Sequence, residues 1–198
     1  MTTFQHETLS RTERYAGPIF TVYTDKVTMS GGGTAERDLT ENKGAVGVVA
    51  VDDVGRVVLI RQYRHPVHRR LWELPAGLRD VRGEDLVVTA ARELAEETDL
   101  TARRFDLLVD LHTSPGFANE MIRVFLARDL AAVPSGERHE RTDEEADLEI
   151  ALFDLDEAVA MVLRGEITNA AAVGGLLAAA RARDDGWATL RPADTPLP

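Results

Sequence analysis

The 198-residue chain contains no cysteine, which excludes disulfide bonds and thiolate metal sites. It also lacks an apolar run of about 20 residues, the length that a membrane-spanning helix needs, and its N-terminus lacks the apolar core of a signal peptide. Basic residues are few, with 23 Lys and Arg against 34 Asp and Glu, for a formal charge of −11. Such a chain should repel nucleic acid and anionic membranes. These absences favour a cytoplasmic protein that binds neither.

One local segment runs against the acidic balance, residues 61–70, with the sequence RQYRHPVHRR. Its guanidinium groups could bind the phosphates of a small anion, because their planar forks match phosphate oxygens. The same segment could equally be a solvated strand end followed by a loop. The residues themselves do not separate these two interpretations.

Hydrophobic residues make up 44% of the chain, enough for a substantial core, and their pattern predicts an α+β domain. Strands are predicted over residues 18–29, 34–40, 45–51, 56–62, 107–112, 121–127 and 150–153. The turn residues 52–55 predict that the strands on either side of them form a β-hairpin. Further helices are predicted over residues 156–164 and 169–183, the second capped by Thr168 or Asn169. We expect a small N-terminal β unit over 1–43, a main domain over 44–185, and an irregular tail over 186–198.

The most informative stretch is residues 77–100, GLRDVRGEDLVVTAARELAEETDL. At about 100° per residue, Glu93, Glu96 and Glu97 project from one side of a helix, opposite a broad apolar side. Like charges at these spacings disfavour an isolated helix. Three carboxylates together are explained if a hard cation such as Mg²⁺ supplies the compensating charge, although acidic patterns of this kind are usually only solvated helix faces.

The spacing of the surrounding residues resembles the signature of the Nudix hydrolase family. Gly77, Glu84, Arg92 and the three helix glutamates stand in the order that this signature requires. There are two departures, since six residues rather than five separate Gly77 from Glu84, and Asp99 replaces a glycine. An extra loop residue leaves the helix register intact, and Asp is among the few residues other than glycine that tolerate a left-handed C-terminal position.

The Nudix resemblance implies an α/β/α sandwich and a site for Mg²⁺, with Mn²⁺ as an alternative. It implies that Glu93, Glu96, Glu97 and the backbone carbonyl of Ala76 hold the metal, and that Glu97 belongs to the catalytic residues. We expect Glu84 and Arg92 to form an ion pair that holds the preceding loop to the helix. Gly77, Glu84 and Arg92 are therefore expected to be structural.

The segment over residues 134–148 is highly charged and has no core-facing stripe, so we expect a long loop with a functional role. Its carboxylates are candidates for the general base that activates water, on a loop that closes over substrate. Any one of them could also be only a solvated charge. The candidates are Asp143, Glu144, Glu145 and Asp147.

A narrower resemblance is to the ADP-ribose pyrophosphatase branch of the Nudix family. It is carried by residues 61–64, RQYR, by residues 72–78, and by Pro115, Gly116 and Phe117. The branch implies that a glutamate of this acidic loop is the base; we favour Glu144, with Glu145 second, and the sequence does not separate the two. It also implies a homodimer with the N-terminal unit packed across the two-fold axis, and a nucleoside diphosphate sugar as the substrate. Substrate contacts are expected from Arg61, Arg64, Glu73, Pro115, Gly116 and Phe117.

The function that this resemblance implies is Mg²⁺-dependent hydrolysis of ADP-ribose to AMP and ribose 5-phosphate. A second possibility keeps the chemistry and changes the substrate to another sugar nucleotide, such as GDP-mannose, or to a dinucleotide. A third is a non-catalytic sensor that binds ADP-ribose. Loss of a signature glutamate would favour the sensor, and none of these glutamates is lost.

Overall fold

The structure, a computed structural model, describes residues 5–81, 83–141 and 147–198. Its helices are α1 (Leu86–Thr98), α2 (Leu155–Leu163) and α3 (Ala170–Asp184). None of these helices is long and apolar enough to cross a membrane. Its strands are β1 (Thr8–Ala16), β2 (Phe20–Thr28), β3 (Thr34–Asn42), β4 (Ala45–Ala50), β5 (Arg56–Arg64), β6 (Arg69–Glu73), β7 (Ala76–Leu78), β8 (Leu100–His112), β9 (Met121–Ala132), β10 (Glu149–Asp154) and β11 (Arg191–Pro192).

The chain divides into two compact units, Met1–Gly44 with His112–Met121, and Ala45–Leu111 with Ile122–Pro198. In the first unit, β1, β2 and β3 form an antiparallel sheet in that order. Strand β1, which the sequence pattern did not predict, is exposed along all nine residues. Arg11 on β1 donates to both carboxylate oxygens of Asp25 on β2, at 2.8 and 2.9 Å. The small antiparallel β unit predicted from the sequence is confirmed.

The second unit is an α/β/α sandwich around a five-stranded sheet of order β11-β8-β9-β4-β7. Successive residues of a strand point to opposite faces, and β4 is buried on both. Val46 and Val48 pack in a cluster with α1, whereas Val49 packs in a second cluster with α2 and α3. The sandwich that the family resemblance implied is therefore confirmed, and among the described helices α1 lies on one face of the sheet while α2 and α3 lie on the other.

The hairpin predicted around residues 52–55 is wrong in its pairing. Asp52 does form the turn, since its side chain accepts hydrogen bonds from the N–H groups of Val54 and Arg56 at 3.1 and 2.8 Å. After one bridge between Val51 and Val57, the two strands separate. Strand β4 joins the five-stranded sheet, and β5 lies between β10 and β6 in a second sheet. Both strands are buried on both faces, which is typical of strands in a sheet that is covered on both sides.

The C-terminal tail is more ordered than the irregular segment that the sequence predicted. Residues 191–192 form β11, which pairs with β8. Further on, the carbonyls of Thr195 and Pro196 accept hydrogen bonds from the guanidinium of Arg123. Arg123 is only 2% exposed and forms an ion pair with Asp110 at 2.7 Å. A buried cation on β9 thus holds the tail, a contact between distant residues that local sequence patterns do not reveal.

Candidate active site

Helix α1 ends as the sequence predicted, at Asp99. This residue takes φ 57° and ψ 30°, and its N–H donates to the carbonyl of Ala95. Asp can adopt this left-handed conformation at modest cost, so the missing glycine leaves the helix end unchanged.

The three glutamates of α1 do not share one environment. Glu97 is buried at 4% exposure beside the core residue Leu94, and Glu93 and Glu96 are partly exposed.

Strand β7 meets the helix at Glu97 and Glu93. The N–H of Ala76 donates to Oε2 of Glu97 at 2.8 Å, which fixes the buried carboxylate against the strand. A Cβ added to Gly77 would lie 2.0–2.4 Å from the carboxyl carbon and oxygens of Glu93. Only a glycine leaves the space that the Glu93 carboxylate occupies. The spacing between Gly77 and the helix therefore has a direct steric reason.

Arg92 connects the helix carboxylates to the preceding loop. Its Nη1 lies 2.6 Å from Glu93 and 3.1 Å from Glu96, and its Nη2 lies 3.4 Å from Glu84. Glu84 also accepts from the Thr89 hydroxyl at 2.8 Å. Partial burial alone would lower the pKa of Arg92, but the carboxylates of Glu93 and Glu96 raise it above its ordinary value. The guanidinium stays charged and offsets the repulsion between the glutamates.

The predicted metal ligands are the carboxylates of Glu93, Glu96 and Glu97 and the backbone carbonyl of Ala76. They offer only oxygen atoms, which suits a hard divalent cation. The Glu93 carboxylate lies in the space beside Gly77, the residue that follows Ala76. Within the described ranges, no three His, Asp or Glu side chains already stand in an arrangement that could hold a metal. Glu93 and Glu96 instead pair with Arg92, at 2.6 and 3.1 Å. The residues fit a divalent metal in the kind of donor atom that they offer.

The basic segment lies on β5 and β6 of the same unit, where Arg64 and Glu73 pair with each other. Arg64 Nη2 is 2.7 Å from Glu73 Oε2, and Glu73 is 2% exposed while the Arg64 side chain is 44% exposed. Arg61 lies over the Trp72 ring at 5.6 Å. The buried carboxylate therefore orients the exposed guanidinium of Arg64, while Glu73 itself is largely covered.

The remaining predicted substrate contacts belong to the first unit. Ser114 accepts hydrogen bonds from the N–H groups of Phe117 and Ala118 at 3.1 and 2.9 Å, which closes the turn containing Pro115 and Gly116. The Phe117 carbonyl accepts from the Thr40 N–H, and Phe117 is 58% exposed. The structure thus divides the predicted contacts between its two units.

The favoured bases Glu144 and Glu145, with Asp143, lie outside the described residues. The residues that flank them are described. Asp147 forms an ion pair with Arg70, and Arg141 donates to the Glu96 carbonyl at 3.0 Å. Sequence reasoning missed Arg141, although the replacement of the signature glycine by Asp99 marked an unusual helix end.

Three comparisons place this geometry among known proteins. The family model described as NUDIX domain matches residues 41–173. The chain is 48% identical over 189 residues to a protein of Mycobacterium tuberculosis named ADP-ribose pyrophosphatase, covering 96% of this chain and 89% of that protein. A Bacillus subtilis protein of the same name is 33% identical over 170 residues, with 86% and 90% covered. A crystal structure of an ADP compounds hydrolase superposes with a TM-score of 0.79 at 21% identity, covering 94% and 98%, which shows the shared fold.

Proposed function

Since this chain belongs to the Nudix family, we propose that it is a hydrolase that cleaves the diphosphate of ADP-ribose to give AMP and ribose 5-phosphate. One observation carries the proposal: the buried Glu97 is fixed to the Ala76 N–H, and Glu93 occupies the space left by Gly77. This geometry brings the signature carboxylates and β7 together. The relatives named ADP-ribose pyrophosphatase support the choice of substrate.

Nudix hydrolases depend on divalent metals, and we propose Mg²⁺, with Mn²⁺ as a substitute. Glu93, Glu96, Glu97 and the Ala76 carbonyl would hold it. When bound, the cation supplies Lewis acidity toward a phosphoryl oxygen and neutralises charge on the diphosphate. Arg64, oriented by Glu73, would contact a phosphate. Pro115, Gly116, Phe117 and Arg61 would complete the substrate contacts.

The reaction adds water across one P–O bond of the diphosphate, so a group must take the proton that water loses. We propose Glu144 as this base, with Glu145 as the alternative. Glu144→Gln should lower kcat strongly with little change in the Mg²⁺ concentration that gives half-maximal rate. If only Glu145→Gln has this effect, the base is Glu145.

The experiment that tests the proposed function is a substrate panel. Initial rates are measured on ADP-ribose, GDP-mannose, a diadenosine polyphosphate and NADH, each with Mg²⁺ and with EDTA. We expect ADP-ribose to be hydrolysed fastest and only with metal. A faster rate on another compound would support the proposed chemistry and show that ADP-ribose is not the preferred substrate. Tight binding of ADP-ribose without hydrolysis of any compound would favour a sensor.

We also propose that the chain forms a homodimer through its first unit and resides in the cytoplasm. Strand β1 is exposed along its whole length, with Leu9 and Tyr15 half exposed. An exposed edge strand with apolar side chains is suited to a second chain. Light scattering should give twice the chain mass of 21.7 kDa, and a value near 21.7 kDa would contradict the dimer.

A further inference from the structure

Leu74 connects the core under α3 with the strand that meets the carboxylate helix. It stands with Pro75 between β6 and β7, and it is 1% exposed. Its side chain belongs to the core cluster that contains residues of α2 and α3, on the opposite face of the sheet from α1. Further along the chain, the Ala76 N–H donates to Glu97 of α1 at 2.8 Å. The backbone from Leu74 to Ala76 therefore joins a side chain packed under α3 to a proposed metal-binding carboxylate.

Two glycines face the Leu74 side chain. A Cβ added to Gly175 of α3 would lie 2.8 Å from Leu74 Cδ1, and a Cβ added to Gly47 of β4 would lie 3.7 Å from the same atom. The first distance is well below an ordinary contact of about 3.5–4.0 Å. The Cβ at Gly175 would also lie 3.0 Å from Val49 and 3.3 Å from Val124, which are both fully buried. Glycine is unfavourable inside a helix, and this close approach gives its presence at position 175 a steric reason.

The short strand that follows Leu74 has few other attachments to the sheet. Strand β7 has three residues and pairs only with β4, at the end of the five-stranded sheet as the structure describes it. The Pro75 carbonyl accepts from the Val48 N–H at 2.9 Å, and Ala76 pairs with Gly47. A segment with few backbone hydrogen bonds depends on its buried apolar contacts for a fixed position. Leu74 supplies such a contact directly before β7.

We propose that Leu74 is a positioning residue for the metal site, and that its packing against Gly175 fixes where the Ala76 carbonyl lies relative to Glu97. The proposal deepens the proposed function and rests on its assignment of these two groups to the metal. Closely packed interiors transmit strain. A methyl group at position 175 would therefore displace Leu74 by roughly 1 Å to restore an ordinary contact, and the backbone would carry part of this shift to Ala76.

The test measures Mn²⁺ binding to full-length Gly175→Ala in the absence of substrate, from the electron paramagnetic resonance signal of the free ion. We expect the Kd for Mn²⁺ to rise by about 10–100-fold, the loss that is typical when groups that orient metal ligands are disturbed. The Mg²⁺ concentration that gives half-maximal rate on ADP-ribose should rise with it. The Tm should fall by roughly 2–12 °C, because overpacking a core lowers its stability.

Gly174→Ala is the matched control, because its Cβ would lie 2.8 Å from Leu111 Cδ1. The overlap is the same and the helix is the same, but Leu111 belongs to β8, which β9 and β4 separate from β7. This variant should bind Mn²⁺ as the wild type does. Adding Leu74→Val to Gly175→Ala removes the Cδ1 atom that meets the new methyl group, so it should restore most of the affinity for Mn²⁺. A second core substitution would not restore affinity that was lost through general destabilisation.

If Gly175→Ala does not fold, Leu74→Val alone serves as the test, because it removes the contact with α3 and should itself weaken Mn²⁺ binding. Wild-type affinity in the folded variant, equal losses in Gly175→Ala and Gly174→Ala, or no recovery in the double variant would overturn the role of Leu74. These results leave the proposed function intact, because the wild type still hydrolyses ADP-ribose. If the wild type neither binds Mn²⁺ nor hydrolyses any compound of the panel, the proposed function and the role of Leu74 both fail.

Discussion

Gly77→Ala tests whether the steric fit between β7 and α1 serves metal binding. The new Cβ would lie 2.0 Å from the Glu93 carboxyl carbon, so that carboxylate must move by roughly 1.4 Å to restore an ordinary contact of about 3.4 Å. The end of a flexible side chain can make this shift. An off-rotamer Glu93 costs about 0.5–1.5 kcal/mol, which corresponds to a Tm lower by roughly 1–6 °C for a chain of this size.

The effect on metal binding should be much larger than the effect on folding. Disturbing groups that orient metal ligands typically weakens metal binding by about 10–100-fold, so the Mg²⁺ concentration for half-maximal rate should rise by this factor. The assay is initial rate on ADP-ribose against Mg²⁺ concentration, and excess Mg²⁺ should restore part of the activity. Gly31→Ala is the control, because its Cβ would meet nothing within 4 Å. An unchanged Mg²⁺ dependence in Gly77→Ala would refute the assignment of Glu93 to the metal.

Three further predictions concern buried or paired charges. Glu97→Gln should lower kcat by at least about 100-fold with little change in Tm, because an amide oxygen can still accept the strand N–H; near-normal turnover would remove α1 from the mechanism. Arg123→Met removes the nearer of two cations from the largely covered Asp110 and leaves only Arg191, 3.7 Å away. Losing the pair costs at most about 3–5 kcal/mol and should lower Tm in calorimetry by at most roughly 6–20 °C; an unchanged Tm would contradict this. The hydrogen bond from Arg11 holds the pKa of Asp25 below its ordinary value, so its stabilisation is complete above about pH 4 and is lost as pH falls further. Calorimetry from pH 5 to 2 should show a smaller loss of Tm in Arg11→Gln than in wild type, and equal losses would contradict the pair.

Sequence patterns predicted the features of the fold that depend on residues close together in the chain. The helix period of α1 and its end at Asp99 follow from neighbouring residues, as does the cap of α3, where Asn169 accepts from the Ala172 N–H at 3.0 Å. The two core clusters likewise follow from strands such as β4 that are apolar on both faces.

What sequence reasoning missed depends on contacts between distant residues. The turn at Asp52 is a local feature, so the sequence pattern predicts a hairpin there. Which sheet each flanking strand joins depends instead on β9 and β10, which lie far away in the sequence. The pairing of Arg141 with Asp99 spans about forty residues, and the contact of Arg123 with the tail spans about seventy. No periodicity or spacing rule connects such positions.

Product analysis of ADP-ribose tests the central claim most directly. Wild-type protein with Mg²⁺, wild-type protein with EDTA, and Glu97→Gln with Mg²⁺ are incubated with ADP-ribose, and the products are separated by chromatography. We predict equal amounts of AMP and ribose 5-phosphate in the first reaction and almost none in the other two. AMP and ribose 5-phosphate in all three reactions, or in none of them, would contradict the account.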